Sequence, residues 1–150
     1  MGFPTERIIF EVSESEKVLS NDHLRNIFTE YRKHRFTTAI DDFGAGYAGL
    51  NLLANCQPDI IKLDMSLTRD VNKHKVRRAL VFGIISICKE LGIKVIAEGI
   101  ETVEECLTLA DEGVTLFQGY LFSHPKLESL PTVSEDIWPL VQIRRVKDRR

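Results

Sequence analysis

Long hydrophobic runs are missing from this chain of 150 residues. No apolar stretch approaches the roughly 20 residues that cross a bilayer, so a membrane partner is not expected. The start has no signal-peptide layout. Met1-Gly2-Phe3-Pro4 leads almost directly into a strand pattern, as though the chain were cut into from the left. Cysteine is scarce too. Cys56, Cys88 and Cys106 lie far apart, and no pair has zinc-ligand spacing. That excludes a disulfide framework and points to reduced core residues of a cytosolic, hence cytoplasmic, protein. The four histidines, His23, His34, His74 and His124, avoid the strand tips, so no Ser-His-Asp set is expected. No glycine-rich phosphate fingerprint follows the first strand, which argues against a dinucleotide fold. Positive charge is not in excess: the net charge is −2, and the tail from Arg144 to Arg150 carries +4, leaving about −6 elsewhere. An acidic body suits cation sites and not nucleic-acid binding. The basic tail reads as a solvated or disordered end.

What is present is a repeating alternation. The length suits one domain with a sizeable core. The chain is organised around Thr37-Thr38-Ala39-Ile40-Asp41-Asp42-Phe43-Gly44-Ala45-Gly46-Tyr47, where a β-branched run climbs into two carboxylates and a glycine-punctuated loop. Ile8 to Val12 forms an earlier strand, with Glu11 near its end and Ser13-Glu14-Ser15-Glu16 as its exit. A helical pattern from Asn21 puts Leu24, Ile27, Phe28 and Tyr31 on one face. A short helix over Gly49 to Asn55 uses Leu50, Leu52 and Leu53. Asp59 to Asp64 is a third strand, on which Ile60, Lys62 and Asp64 share a face. Lys75 to Leu91 is the longest helix, with Val76, Leu80, Ile84, Cys88 and Leu91 as its apolar stripe, widened by Ile87. Lys94 to Glu98 is a fourth strand. Thr102 and Glu105 have capping-box spacing ahead of Val103, Cys106, Leu107 and Ala110. Val114 to Gln118 is a fifth strand. Beyond Lys126 the pattern weakens, with Trp138, Pro139 and Leu140 as a candidate docking group.

Strands alternating with helices imply an α/β fold with a parallel sheet and right-handed crossovers. Polar residues recur at the C-terminal ends of all five strands: Glu11, Asp41-Asp42, Lys62-Asp64, Glu98 and Gln118. A (β/α) barrel builds its active site there. Taken singly, Asp42 could simply cap a turn, and Lys62 with Asp64 could be a structural ion pair. Five consecutive strands point instead to one shared site. Its oxygen ligands suit Mg²⁺ or Mn²⁺. Carboxylates holding paired metals, with a lysine beside them, fit in-line displacement at a phosphodiester. The same inventory fits enolate chemistry with the lysine as base.

Phe10-Glu11-Val12-Ser13-Glu14, Asp41-Asp42-Phe43-Gly44-Ala45-Gly46-Tyr47, Ile61-Lys62-Leu63-Asp64, Ala97-Glu98-Gly99-Ile100-Glu101 and Phe117-Gln118-Gly119-Tyr120 stand in a telling order. From about residue 8 to Pro125 the chain resembles the EAL-domain family of bacterial cyclic-di-GMP phosphodiesterases, which fold as (β/α)8 TIM-type barrels and yield the linear dinucleotide pGpG. The resemblance implies that Glu11, Asp41, Asp42 and Glu98 bind metal, with Asp41 shared by two ions. It implies that Lys62 holds a catalytic water, that Glu98 ligates metal or serves as general base, and that Glu14 pins the loop after the aspartates. That loop, Phe43 to Leu50, contributes to dimer contacts in many members. Asp64, Glu101 and Gln118 correspond to supporting or substrate-facing positions, and Pro125 to a residue that closes over guanine. The naming Glu-Ala-Leu motif and an asparagine ligand, both upstream in the family, do not occur here. The expected fold is therefore an incomplete barrel of about five parallel strands over residues 1–126, with an extension over residues 127–150. The expected partners are cyclic-di-GMP and either a second copy of the chain or the missing strands. The expected outcome is a truncated, inactive fragment; the alternative is a non-catalytic remnant serving as a nucleotide-binding or protein-interaction module.

Overall fold

The computed structural model describes residues 4–14, 21–46 and 49–142. Five strands form a single parallel sheet: β1 (Ile9–Ser13), β2 (Thr37–Phe43), β3 (Ile60–Leu63), β4 (Lys94–Ala97) and β5 (Leu116–Phe117). Their order in the sheet is their order in the chain. Between them run α1 (Asn21–Lys33), α2 (Gly49–Cys56), the single turn α3 (Met65–Thr68), α4 (Lys75–Glu90) and α5 (Val103–Asp111), and α6 (Ile137–Gln142) follows. Right-handed crossovers between successive neighbours put every connecting helix on the same side, as in an arc of a barrel wall. The expected α/β alternation is what the chain adopts.

The register sorts the strand residues into two faces, because side chains alternate. One face carries Val12, Ile40, Ile61, Leu63, Val95, Ala97 and Phe117, which pack with Leu24 and Phe28 of α1, Leu53 of α2 and Val81 of α4. The other carries Glu11, Asp41, Ile60, Lys62 and Ile96, aligned by Glu11↔Ala39, Ala39↔Ile60 and Lys62↔Ile96. Glu105 caps α5 in the expected box with Thr102.

Three expectations need correction. β1 ends at Ser13, so Glu11 is its middle residue and leaves from the sheet face. On α4 the buried residues are Val81, Ile85 and Cys88, whereas Val76 and Leu80 are 75% and 58% exposed, and Ile87 and Leu91 are exposed too. The helix has two apolar stripes, and the one centred on Val81 meets the sheet. Leu50 also faces outward, while Leu52 and Leu53 are buried. Trp138 and Leu140 are exposed on α6, which lies against α5. Tyr47, Ser15, Glu16 and the basic tail lie outside the described residues. The three cysteines are buried. Among the described residues no helix is long and apolar enough to cross a membrane.

Candidate metal centre

The site begins with an irregularity in β2. From Ile40 to Phe43 this strand takes three steps while β3 takes two, from Ile61 to Leu63. Asp41 and Asp42 therefore sit opposite Lys62 alone, as in a β-bulge. Asp42 adopts φ 54°, a left-handed conformation that Asp tolerates better than most residues. In a regular strand two neighbouring side chains would point to opposite faces. Here the bulge lets both aspartates serve one side. The Asp42 amide donates to Asp41 Oδ1 at 3.0 Å, and the Ser13 hydroxyl donates to Asp42 Oδ2 at 3.0 Å.

Lys62 reaches into the middle of the cluster. Its Nζ lies 2.9 Å from Asp41 Oδ1, 3.0 Å from Glu98 Oε1 and 3.1 Å from Glu11 Oε2. The lysine side chain is 11% exposed and that of Glu98 15%. Burial opposes the Lys62 charge, but hydrogen bonds to Asp41, Glu98 and Glu11 outweigh it and hold its pKa above the usual lysine range. Glu98 is pushed up, first by burial and then by the neighbouring Asp41 and Asp42 charges, against the pull of Lys62. Beyond burial, the cluster is out of balance: Glu11, Asp41, Asp42 and Glu98 gather near a single ammonium. A further cation would relieve it.

Asp41, Asp42 and Glu98 can each place a carboxylate oxygen so that all three lie within 4.8 Å of one another. No histidine or cysteine belongs to this cluster, so its donors are hard oxygens suited to Mg²⁺, Mn²⁺ or Ca²⁺. The residues present fit a divalent ion, with Glu11 joined to the cluster through Lys62.

The other candidates lie around this centre. The Glu14 carboxylate accepts from the amides of Gly44 at 2.6 Å and Gly49 at 2.8 Å, tying down both ends of the loop after the aspartates. A Cβ on Gly46 would come within 2.9 Å of Glu14 Oε1. Asp64 caps α3, accepting from the Ser66 amide at 2.8 Å. Glu101 is held by the Arg69 guanidinium in a two-pronged pair. A cleft of about 430 Å³ gathers Glu101, Gln118 and Pro125 with Met65, Tyr120 and His124. Tyr120 and His124 stack there, ring centroids 4.1 Å apart. Ser13 and the segment from Thr68 to Arg69 were missed by sequence reasoning. Ser13 was reachable, since aligning the ends of the first two strands sets it against Asp41.

A family model described as "EAL domain" matches residues 1–125. Among curated relatives, the blue light- and temperature-regulated antirepressor BluF of Escherichia coli (strain K12) is 40% identical over 134 residues, 89% of this chain and 32% of that protein. The cyclic di-GMP phosphodiesterase PdeR of the same organism is 33% identical over 128 residues, 85% of this chain and 19% of its own. Among solved structures, a standalone EAL protein from Vibrio cholerae O395 in a c-di-GMP-bound form is 43% identical with TM-score 0.85, covering 91% of this chain and 57% of that one. A manganese/cy-diGMP complex of Klebsiella pneumoniae BlrP1 is 41% identical with TM-score 0.81, covering 87% and 33%. The chain thus spans about a third of BluF and just over half of the Vibrio protein.

Proposed function

This chain belongs to the EAL-domain family, and we propose that it supplies the Asp41–Asp42–Lys62–Glu98 part of a cyclic-di-GMP phosphodiesterase site. The reaction would join a water oxygen to phosphorus and break the P–O3′ bond, giving linear pGpG. The observation that carries this reading is the closeness of the Asp41, Asp42 and Glu98 carboxylates, with Lys62 paired to Asp41 and Glu98. Asp41, Asp42, Glu98 and Glu11 would hold Mg²⁺ or Mn²⁺. When bound, such ions supply neutralisation of phosphate charge and acidification of water. Lys62 has three donors to share between carboxylates and an incoming water or phosphate oxygen. Glu98 would hold a cation or accept the proton of the attacking water. Glu14 keeps the aspartate loop in register, and the cleft at Glu101, Gln118 and Pro125, which is also lined by Gly99 next to Glu98, would receive a flat, polar group.

Among the described residues β1 pairs only with β2 and β5 only with β4. Each offers a free edge, which invites pairing with another chain or further strands. The 150-residue chain by itself is therefore expected to bind cyclic-di-GMP in a metal-dependent way and to hydrolyse it slowly. Calorimetry with cyclic-di-GMP, with and without Mn²⁺, tests the first part, and a turnover assay for pGpG the second. The similarity to an antirepressor supports a second reading, an interaction module that keeps the scaffold without the chemistry. No nucleotide binding, together with a stable protein complex, would establish that reading in place of the first.

A further inference from the structure

The turn between β3 and α4 touches both loops that carry the carboxylates. Leu67 lies against Gly44, two residues past Asp42: a Cβ there would meet Leu67 Cδ1 at 2.1 Å. Met65 lies against Gly99, where a Cβ would meet Met65 Cβ at 2.4 Å. Both glycines also have positive φ, 100° and 64°. The Thr68 hydroxyl, fully buried, donates to the backbone carbonyl of Glu98 at 2.5 Å. The same segment is anchored from behind. The Asp70 amide donates to buried Glu105 Oε1 at 2.7 Å, while Glu105 Oε2 accepts from the amides of Glu101 and Thr102, each at 3.1 Å.

We propose that α3 is a strut that sets Glu98 against the Asp41–Asp42 pair, and that Thr68 is a positioning residue for the cation site. The proposal rests on the reading of that site given above. Glu98 lies just past the end of β4, where the amide of Glu98 is held by the Leu63 carbonyl. Its own carbonyl is held by Thr68. The two bonds fix the peptide planes on either side of the Glu98 Cα, and so the direction in which its side chain leaves. Leu67, packed on Gly44, refers that direction to the aspartate loop. Removing the hydroxyl frees one plane and leaves a carbonyl unpaired, which costs stability. It also loosens a carboxylate that must close with two others, which costs affinity.

The test uses the whole chain, with Thr68→Val and Thr68→Ser, and Mn²⁺ alone as probe. Calorimetry is run at a temperature where every variant is folded, so that a merely structural role leaves the affinity unchanged. Thr68→Val is expected to weaken Mn²⁺ binding about 10-fold or more, as loss of outer support does at other metal sites, and Thr68→Ser to restore it. Hydrogen exchange at the amides of residues 99–102 is expected to accelerate in Thr68→Val while that of α1 stays put. If Thr68→Val does not fold, Leu67→Ala reports the other arm of the strut by the same two measurements. Parent affinity together with parent exchange in the valine variant overturns the strut and leaves the cation site standing. A parent that binds no Mn²⁺ overturns the cation site; faster exchange in the valine variant would then uphold the strut as a link between the two loops.

Discussion

The two faces of the sheet are held together on opposite terms. On the helix side, Ile40, Ile61 and Leu63 meet Phe28, Leu53 and Val81 with almost no exposure. These contacts are apolar, with buried Thr38 satisfied by the Asp59 carboxylate, and burial itself is the driving force. On the other side, three carboxylates share one ammonium and a fourth, Asp42, lies beside two of them. That arrangement is costly in a partly buried setting, because like charges repel and each loses solvation. The first face explains why the chain folds. The second uses part of that stability to keep a site charged and ready for a ligand.

Substitutions should separate the two. Phe28→Ala, on the closed face, is expected to cost about 3–5 kcal/mol of stability, read from the denaturant midpoint. Asp41→Asn, on the open face, is expected to weaken Mn²⁺ binding about 100-fold while moving the unfolding midpoint little. A large loss of stability there would break the comparison. Glu98→Gln sharpens it through pH. The folded-state pKa of Glu98 lies above its ordinary 4.5, so the folded state holds that proton more tightly than the unfolded chain. Stability therefore falls as pH rises from 4.5 through the folded value. The glutamine variant should lose that decline and melt higher than the parent at neutral pH, but not in acid, while binding Mn²⁺ more weakly. Leu80→Ser, on the exposed stripe of α4, should stay within about 0.5 kcal/mol of the parent.

The strands and their acidic residues were legible because each strand is a short apolar run and each carboxylate breaks it. The parallel alternation followed from helices falling between them. Which stripe of α4 faces the sheet was not legible. Val76, Leu80, Ile87 and Leu91 keep helical spacing just as Val81, Ile85 and Cys88 do, and only the tertiary contacts choose between them. The convergence of Asp41 and Asp42 was legible as an idea, that the chain bends at a strand's end. Its cause, one extra residue opposite Lys62 and a left-handed Asp42, needed the register. Asp64 read as a face-mate of Lys62 and is instead a cap for α3, a turn too short for periodicity to reveal. Thr68 left no local signal at all, since its partner is 30 residues away.

The strand order of the sheet also bears on how the molecule is made. Each strand lies beside the one synthesised just before it. A nascent polypeptide leaving the ribosome can therefore add one βα unit at a time, with no need to open a gap in what has already settled. Glu11, Asp41 and Lys62 would gather in that sequence, and the ring of charge would close only when Glu98 arrives. The cover of α1, α2 and α4 would already be in place by then, so the most repulsive part of the protein would close on packed helices, before α5 and β5 extend the same core.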